Sequence, residues 1–288
     1  MLSYFQAIVI GALQGLTELF PVSSLGHSVI LPPLLGWTVD ENANFYLIFL
    51  VATHLATSLV LFGFFFSDWM KIIRGLGRSL AARRIDPADT YAKLGWLLIV
   101  ATVPAGILGL LFEDKFKSIF ASPLSVSIFL FLNGAILYGA EILRRRKISN
   151  GNLGASDPDA QAARLSWSQS VKIGFAQALA LIPGFSRTGS TLGGGLLVGL
   201  DHEAAARFSF LLATPIIFAA AVMKLPELLA GGEHYPVGPV ILGALVSALG
   251  AYLSVKFLTK YFQTKTLRPF AIYCLAAGAL STFIFLLR

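Results

Sequence analysis

The run from Phe45 to Phe66 reads FYLIFLVATHLATSLVLFGFFF and contains no Asp, Glu, Lys or Arg. A helix needs about 20 apolar residues to cross a hydrocarbon core about 30 Å thick, so this stretch predicts a transmembrane helix. Five further runs lack charged residues: Leu94–Phe112, Ile119–Ala140, Phe208–Met223, Val237–Val255 and Pro269–Leu287. The fourth of the six, Phe208–Met223, is short and is expected to borrow flanking residues. Barrel strands would alternate apolar and polar residues, and these runs do not. The whole chain agrees: of 288 residues, 56% are hydrophobic and 13% are charged, against about 25% charged in soluble domains. These figures exclude a soluble globular fold and a disordered chain. Lipid replaces water as the outer solvent.

Charge is distributed by position. Ser67–Lys93 holds six basic and three acidic residues, Arg144–Lys172 six and two, and Lys256–Arg268 four and none. These connections contain 16 of the 22 Lys and Arg residues. The alternate connections around Asp40–Glu41, Glu113–Lys117 and Glu227–Glu233 are acidic or balanced. The positive-inside rule places the basic set in the cytoplasm. The net charge of +7 therefore sets orientation, and no nucleic-acid partner is expected. Arg144–Lys147 reads as a topology anchor. The first basic residue is Lys71, so no positive segment precedes the N-terminal apolar run, which is expected to remain in the chain. Cys274 reads as a small core hydrophobe.

Six crossings put both termini outside if Leu2–Leu31 and Val171–Leu200 do not cross. Proline, glycine and serine interrupt both near their middles, and both read as re-entrant helix–loop–helix hairpins, although Leu2–Phe20 is long enough to cross alone. An internal repeat supports this. Asp40–Ala43 with Phe49, Leu50, Ala52 and Thr53 matches Asp201–Ala204 with Phe210, Leu211, Ala213 and Thr214 at an offset of 161. Upstream, Gly11, Gln14, Pro21 and Ser24 match Gly174, Gln177, Pro183 and Ser186 at offsets of 162–163. The copies would face opposite sides of the membrane, and an inverted repeat of this kind places broken helices at a midplane site. The expected fold is an all-α polytopic membrane protein, with six transmembrane helices plus two re-entrant hairpins. It forms one domain over residues 1–288, with repeats at about 1–143 and 171–288 joined by a basic linker, 144–170.

Ionisable residues inside a membrane are costly and point to function. Four fall in or near the embedded runs: Glu18, His27, His54 and Arg187. In the first hairpin, Gln14 and Glu18 are i and i+4, sharing one helix face, and offer oxygens suited to Mg²⁺ or Ca²⁺. Pro21 ends that helix. Ser23 or Ser24 then caps the next, whose N-terminus offers N–H groups to an anion. The second hairpin reads PGFSRTGSTLGGG from Pro183 to Gly195. It combines Arg187, whose fork suits phosphate, with the hydroxyls of Ser186, Ser190 and Thr191. His54, mid-span, is expected to be a packing histidine. Glu203 and Arg207 are expected to pair at i, i+4. Phe64–Phe66 is expected to face lipid or the interface, and His202 and His234 to lie in loops.

Gln14-x-x-x-Glu18 with Pro21-Val-Ser-Ser-x-Gly-His27, and Pro183-Gly-Phe-Ser-Arg-x-Gly-x-Thr191, resemble the motifs of the undecaprenyl-diphosphate phosphatases, the bacitracin-resistance proteins of bacteria. The resemblance covers essentially the whole chain, including Phe208–Ala213. It implies a multi-pass enzyme of the bacterial inner membrane with its site facing outward. The enzyme would remove the terminal phosphate of a C55 polyprenyl diphosphate to regenerate the carrier of cell-wall precursors, and would depend on a divalent cation. The family accepts Glu or Gln at the first motif position. Here Gln14 leaves Glu18 as the single motif carboxylate, which predicts weaker metal affinity. Carried onto this chain, the resemblance assigns phosphate binding to Arg187 with Ser23, Ser186 and Thr191, and the metal or water to Gln14 and Glu18. Ser24 is the candidate nucleophile with His27 as acid/base, or His27 is itself the nucleophile. A transporter or flippase for a lipid phosphate is the rival reading, because inverted repeats also build carriers. A homodimer is left open.

Overall fold

The structure, a computed structural model, describes residues 2–37, 44–120, 122–148, 157–229 and 236–288. Its elements are α1 (Tyr4–Thr17), α2 (Ser24–Leu34), α3 (Asn44–Phe64), α4 (Phe66–Ala82), α5 (Thr90–Phe120) and α6 (Pro123–Ile148). There follow α7 (Pro158–Ala163), α8 (Trp167–Ala178), α9 (Arg187–Val198), α10 (His202–Leu229), α11 (Val237–Tyr261) and α12 (Arg268–Leu287). Among the described residues there is no strand.

Six helices are long and apolar enough to span a bilayer: Asn44–Phe64, Thr90–Phe112, Pro123–Arg145, His202–Lys224, Val237–Tyr261 and Arg268–Leu286. They coincide with the six predicted runs, and the short fourth run does borrow its N-terminal flank. α1 has 14 residues, about 21 Å of helix, and so falls short of the bilayer core. α1–α2 and α8–α9 are each a helix, a break and a second helix.

Local chemistry repeats between these two units. Ser3 and Gln6 form a capping box that starts α1, and Ser166 and Gln169 form the same box at α8. Each box satisfies orphan N–H groups at a helix start reciprocally. Ser23 Oγ accepts from Gly26 N–H at 3.1 Å to cap α2, and Ser186 Oγ accepts from Gly189 N–H at 3.0 Å to cap α9. All these pairs share an offset of 163. The structure therefore aligns Ser186 with Ser23, correcting the pairing with Ser24 expected at 162.

Packing follows the same exchange. α1 lies against α11 as α8 lies against α5, while α6 packs on α12 and α3 on α10. Gly11 meets the backbone of Gly243, and Gly174 meets the backbone of Ala101 and the ring of Pro104. Without a side chain these two glycines let backbones approach closely. Hydroxyls join the same pairs: Ser254 Oγ donates to Leu16 O at 3.2 Å, and Ser170 Oγ to Leu97 O at 2.6 Å. The second segment of the repeat, at Asp40–Ala43, lies outside the described residues, as does His234.

The basic connection Ser67–Lys93 contains most of helix α4. Three expectations change. Within Phe64–Phe66, Phe65 is buried and packs on Phe210, while its neighbours are exposed. The expected Glu203–Arg207 pair does not form. Arg207 instead grips both oxygens of Asp159 at 2.9 and 2.8 Å and Asp68 at 3.0 Å, tying α10 to α7 and α4. His202 is no loop residue: it is buried in α10, 2.8 Å from Glu141 of α6.

Candidate active site

Pro21 has no N–H to donate, so α1 cannot run through it. The chain breaks after Thr17, with Glu18 at the C-cap. Ser23 takes a positive φ of 70°, an uncommon conformation for a residue with a side chain, and α2 restarts at Ser24. In the second unit the break runs through Pro183 and Gly184, where Gly184 has φ of 104°, and α9 starts at Arg187. Ser24 and Arg187 thus hold the same position in their units, the first residue of the second helix.

The two breaks meet. The Arg187 Nη2 donates to Glu18 Oε1, joining residues 169 positions apart. Ser24 Oγ donates to Glu18 Oε2 at 2.5 Å, and Gln14 Nε2 donates to the same oxygen at 2.8 Å. Thr188 Oγ1 donates to Glu18 O at 3.1 Å. Glu18 is 6% exposed. A buried carboxylate is tolerated when it is paired and hydrogen-bonded, and both conditions hold here.

His27 also lies at this break. Its Nδ1 is 2.6 Å from Ser23 O and its Nε2 is 2.8 Å from the Tyr273 hydroxyl, whose ring stacks on the imidazole. A carbonyl only accepts, so Nδ1 carries the hydrogen and the neutral ring accepts from Tyr273 at Nε2. These bonds hold His27 to Ser23 and Tyr273, while Ser24 directs its proton to Glu18. Ser186 faces its own cap, and Thr191 Oγ1 is held within α9 and by Ser209 of α10.

Three further residues complete the site: Asn133 and Tyr273, which the sequence did not mark, and His54, which it marked as an embedded ionisable residue but assigned to packing. Asn133 of α6 bridges the breaks: its Nδ2 donates to Pro21 O at 3.2 Å and its Oδ1 accepts from Ser186 N–H at 3.1 Å. Tyr273 orients His27. His54 places Nε2 3.4 Å from Glu18 Oε2; it was expected only to pack. None of the three lies in a motif, and each comes from a different helix. The available signal was a polar side chain within an apolar run.

Unpartnered atoms show what the site lacks. Arg187 Nε and Ser190 Oγ are buried without a partner, as is the acceptor Gln14 Oε1. Two donors near the α9 N-terminus fit an oxyanion. One orphaned amide oxygen beside a carboxylate fits a hard cation. Among the described residues no group of three or more His, Cys, Asp or Glu could hold a metal.

The chain is similar to known proteins over nearly its whole length. Residues 7–280 match the family described as "Bacitracin resistance protein BacA". The undecaprenyl-diphosphatase of Mycolicibacterium paratuberculosis is 47% identical, covering 97% of this chain and 96% of its own length. Undecaprenyl-diphosphatase 2 of Frankia alni is 44% identical over 98% and 97%, and that of Chromobacterium violaceum 42% over 95% of each. The matched residues span both helix breaks, and the chain belongs to the bacitracin-resistance protein BacA family.

Proposed function

We propose that this protein is a membrane phosphatase that hydrolyses undecaprenyl diphosphate to undecaprenyl phosphate and inorganic phosphate, returning the lipid carrier to cell-wall synthesis. The observation that carries the reading is the meeting of Glu18, Ser24 and Arg187 at the two helix breaks. The names of the relatives support hydrolysis rather than transport.

Arg187, with the N-termini of α2 and α9 and their caps Ser23 and Ser186, binds and neutralises the terminal phosphate. Thr191 supports this by fixing the first turn of α9. Ser24 Oγ attacks the terminal phosphorus while Glu18 Oε2 draws its proton. The bond from that phosphorus to the bridging oxygen breaks, and the polyprenyl monophosphate leaves. Water then attacks the phosphoserine, releasing phosphate and restoring the hydroxyl. Such chemistry is mostly positioning and electrostatic stabilisation. The bond from Ser24 to Glu18 favours Ser24 over His27 as nucleophile. His27, oriented by Ser23 and Tyr273, serves proton transfer at the leaving group. Gln14 and Glu18 would hold a divalent cation, Mg²⁺ or Ca²⁺, which when bound neutralises phosphoryl charge.

We place the protein in the bacterial inner membrane with the site open to the outside, as the distribution of Lys and Arg supports. The exposed apolar faces of the helices, such as Leu245 and Leu249 of α11, take acyl chains; a homodimer would form on the same kind of face. The test uses the purified full chain in detergent with undecaprenyl diphosphate and Mg²⁺ or Ca²⁺. We predict equimolar inorganic phosphate and undecaprenyl phosphate. No release with either cation would overturn the assignment.

A further inference from the structure

α4 has 17 residues and follows directly on the α3 span. At about 3.6 residues per turn its side chains sort into three faces. Ile72, Gly75 and Ser79 are buried against α5. Phe66, Ile73 and Leu80, at i, i+7 and i+14, form an exposed apolar line. Lys71, Arg74 and Arg78 form an exposed basic line on the other side of the helix. The contacts with α5 do not advance along both helices together: Lys71 meets Tyr91, Gly75 meets Ala92, Arg78 meets Asp89 and Ser79 meets Trp96. The length from Lys71 to Ser79, about 12 Å of helix, thus crosses one short stretch, residues 89–96, at the start of the α5 span. α4 therefore lies across the end of that span, along the membrane surface rather than through the bilayer. Trp69, Tyr91 and Trp96 lie at this level, and such aromatic residues concentrate where bilayer meets water.

We propose that α4 is an interfacial helix that selects anionic phospholipids: its apolar line sinks among the acyl chains, and its basic line, with Arg83 and Arg84 beyond the C-cap, binds their phosphates. The apolar line continues the exposed Phe62 and Phe64 at the end of α3 and so extends the lipid-facing surface of that span. Asp68 faces Arg207 and Lys71, and Asp89 faces Arg78. Arg74, Arg83 and Arg84 are exposed and make no ion pair among the described residues. A topology anchor needs cations near the end of a span; it does not need them confined to one helix face with an apolar face beside them. That arrangement is the one an in-plane helix uses on an anionic membrane surface, and polybasic segments next to a span attract anionic lipids. The leaflet, the inner one, follows from the orientation proposed above, whereas the lipid contact does not depend on it. None of these residues belongs to the Glu18–Arg187 centre.

Two measurements on the full chain test this. In the first, nitroxides are attached at Ile73→Cys, Leu80→Cys and Arg74→Cys in a Cys274→Ala background. The protein is reconstituted in vesicles of phosphatidylcholine mixed with phosphatidylglycerol. Paramagnetic resonance then compares collisions with oxygen, which dissolves among acyl chains, and with a nickel chelate, which stays in water. Positions 73 and 80 are expected to favour oxygen and position 74 the chelate. Water exposure of all three, as for a face kept for a soluble protein partner, would overturn the proposal. The second is native mass spectrometry of the detergent-purified chain with phosphatidylglycerol and phosphatidylcholine in competition. Wild type is expected to retain phosphatidylglycerol preferentially. A cation near a membrane surface contributes about fivefold to binding anionic lipid, so Arg74→Gln with Arg83→Gln and Arg84→Gln should lose about fivefold of that preference for each change. No preference in wild type, or an undiminished one in the triple variant, would overturn the selection of anionic lipid. The triple variant should keep the wild-type thermal midpoint and the wild-type rate of phosphate release in detergent, which reports the phosphatase reading independently.

Discussion

Glu18 is a single carboxylate answering to three others: Gln14 and Ser24 on Oε2, and Arg187 on Oε1. Gln14, Glu18, Ser24 and Arg187 were legible in the sequence, because a charge or a hydroxyl beside a proline break in an apolar run has few structural explanations. Asn133 and Tyr273 were not, and His54 was marked but assigned to packing. Each stands alone in a long apolar helix, and spacing within a helix says nothing about partners on other helices. Arg207 shows the converse error: Glu203 four residues away offers a local partner, while the real ones, Asp159 and Asp68, are 48 and 139 positions distant. Asn133 belongs to this residue scale. Asn133→Leu leaves the Ser186 N–H unpaired and the Pro21 C=O with only the Cys274 thiol at 4.0 Å, and an unsatisfied buried group costs about 1–3 kcal/mol. We predict a lower thermal midpoint in detergent and slower phosphate release, since the two breaks lose their common tether. An unchanged midpoint and rate would show that Asn133 bridges nothing of consequence.

At the scale of elements, the two broken units carry one local design and divide the chemistry between them. The capping boxes at Ser3 and Ser166, the caps at Ser23 and Ser186, and the glycines at 11 and 174 share the offset of 163, whereas Glu18 faces Leu181 and Ser24 faces Arg187 under the same offset. The sequence reading found the repeat but was one residue out at the serine, because Pro21 and Pro183 pull the alignment to 162 while cap hydrogen bonds follow helix starts. The equivalence has a test. A Cβ at Gly174 would meet Pro104 Cδ at 2.9 Å, and one at Gly11 would meet Gly243 Cα at the same distance. Overpacking a tight contact costs about 1–3 kcal/mol, so Gly11→Val and Gly174→Val should lower the thermal midpoint by similar amounts. A large loss in one and none in the other would refute a shared packing role.

For the whole molecule, six spans and the scarcity of charge were legible because lipid penalises every charge left facing it. The way helices from distant parts of the chain meet at one site was not, since apolar helix faces look alike in sequence. Orientation is a prediction at this scale. A cysteine at position 150 should be shielded from an impermeant thiol reagent in intact cells, and one at position 233 should react; both positions lie outside the described residues. The reverse pattern would invert the topology. We propose that the two units form a single phosphate-cleaving centre through Glu18 and Arg187. Its most direct test is a double-mutant cycle on phosphate release from undecaprenyl diphosphate, with Glu18→Gln, Arg187→Lys and both together. Removing a group that stabilises the transition state typically costs 10²–10³-fold, and residues acting as a unit lose far less jointly than the product of their separate losses. We predict a drop of about 10²-fold or more in each single variant and a double variant hardly worse than either; independent, multiplying losses, or wild-type rates in the single variants, would contradict the claim.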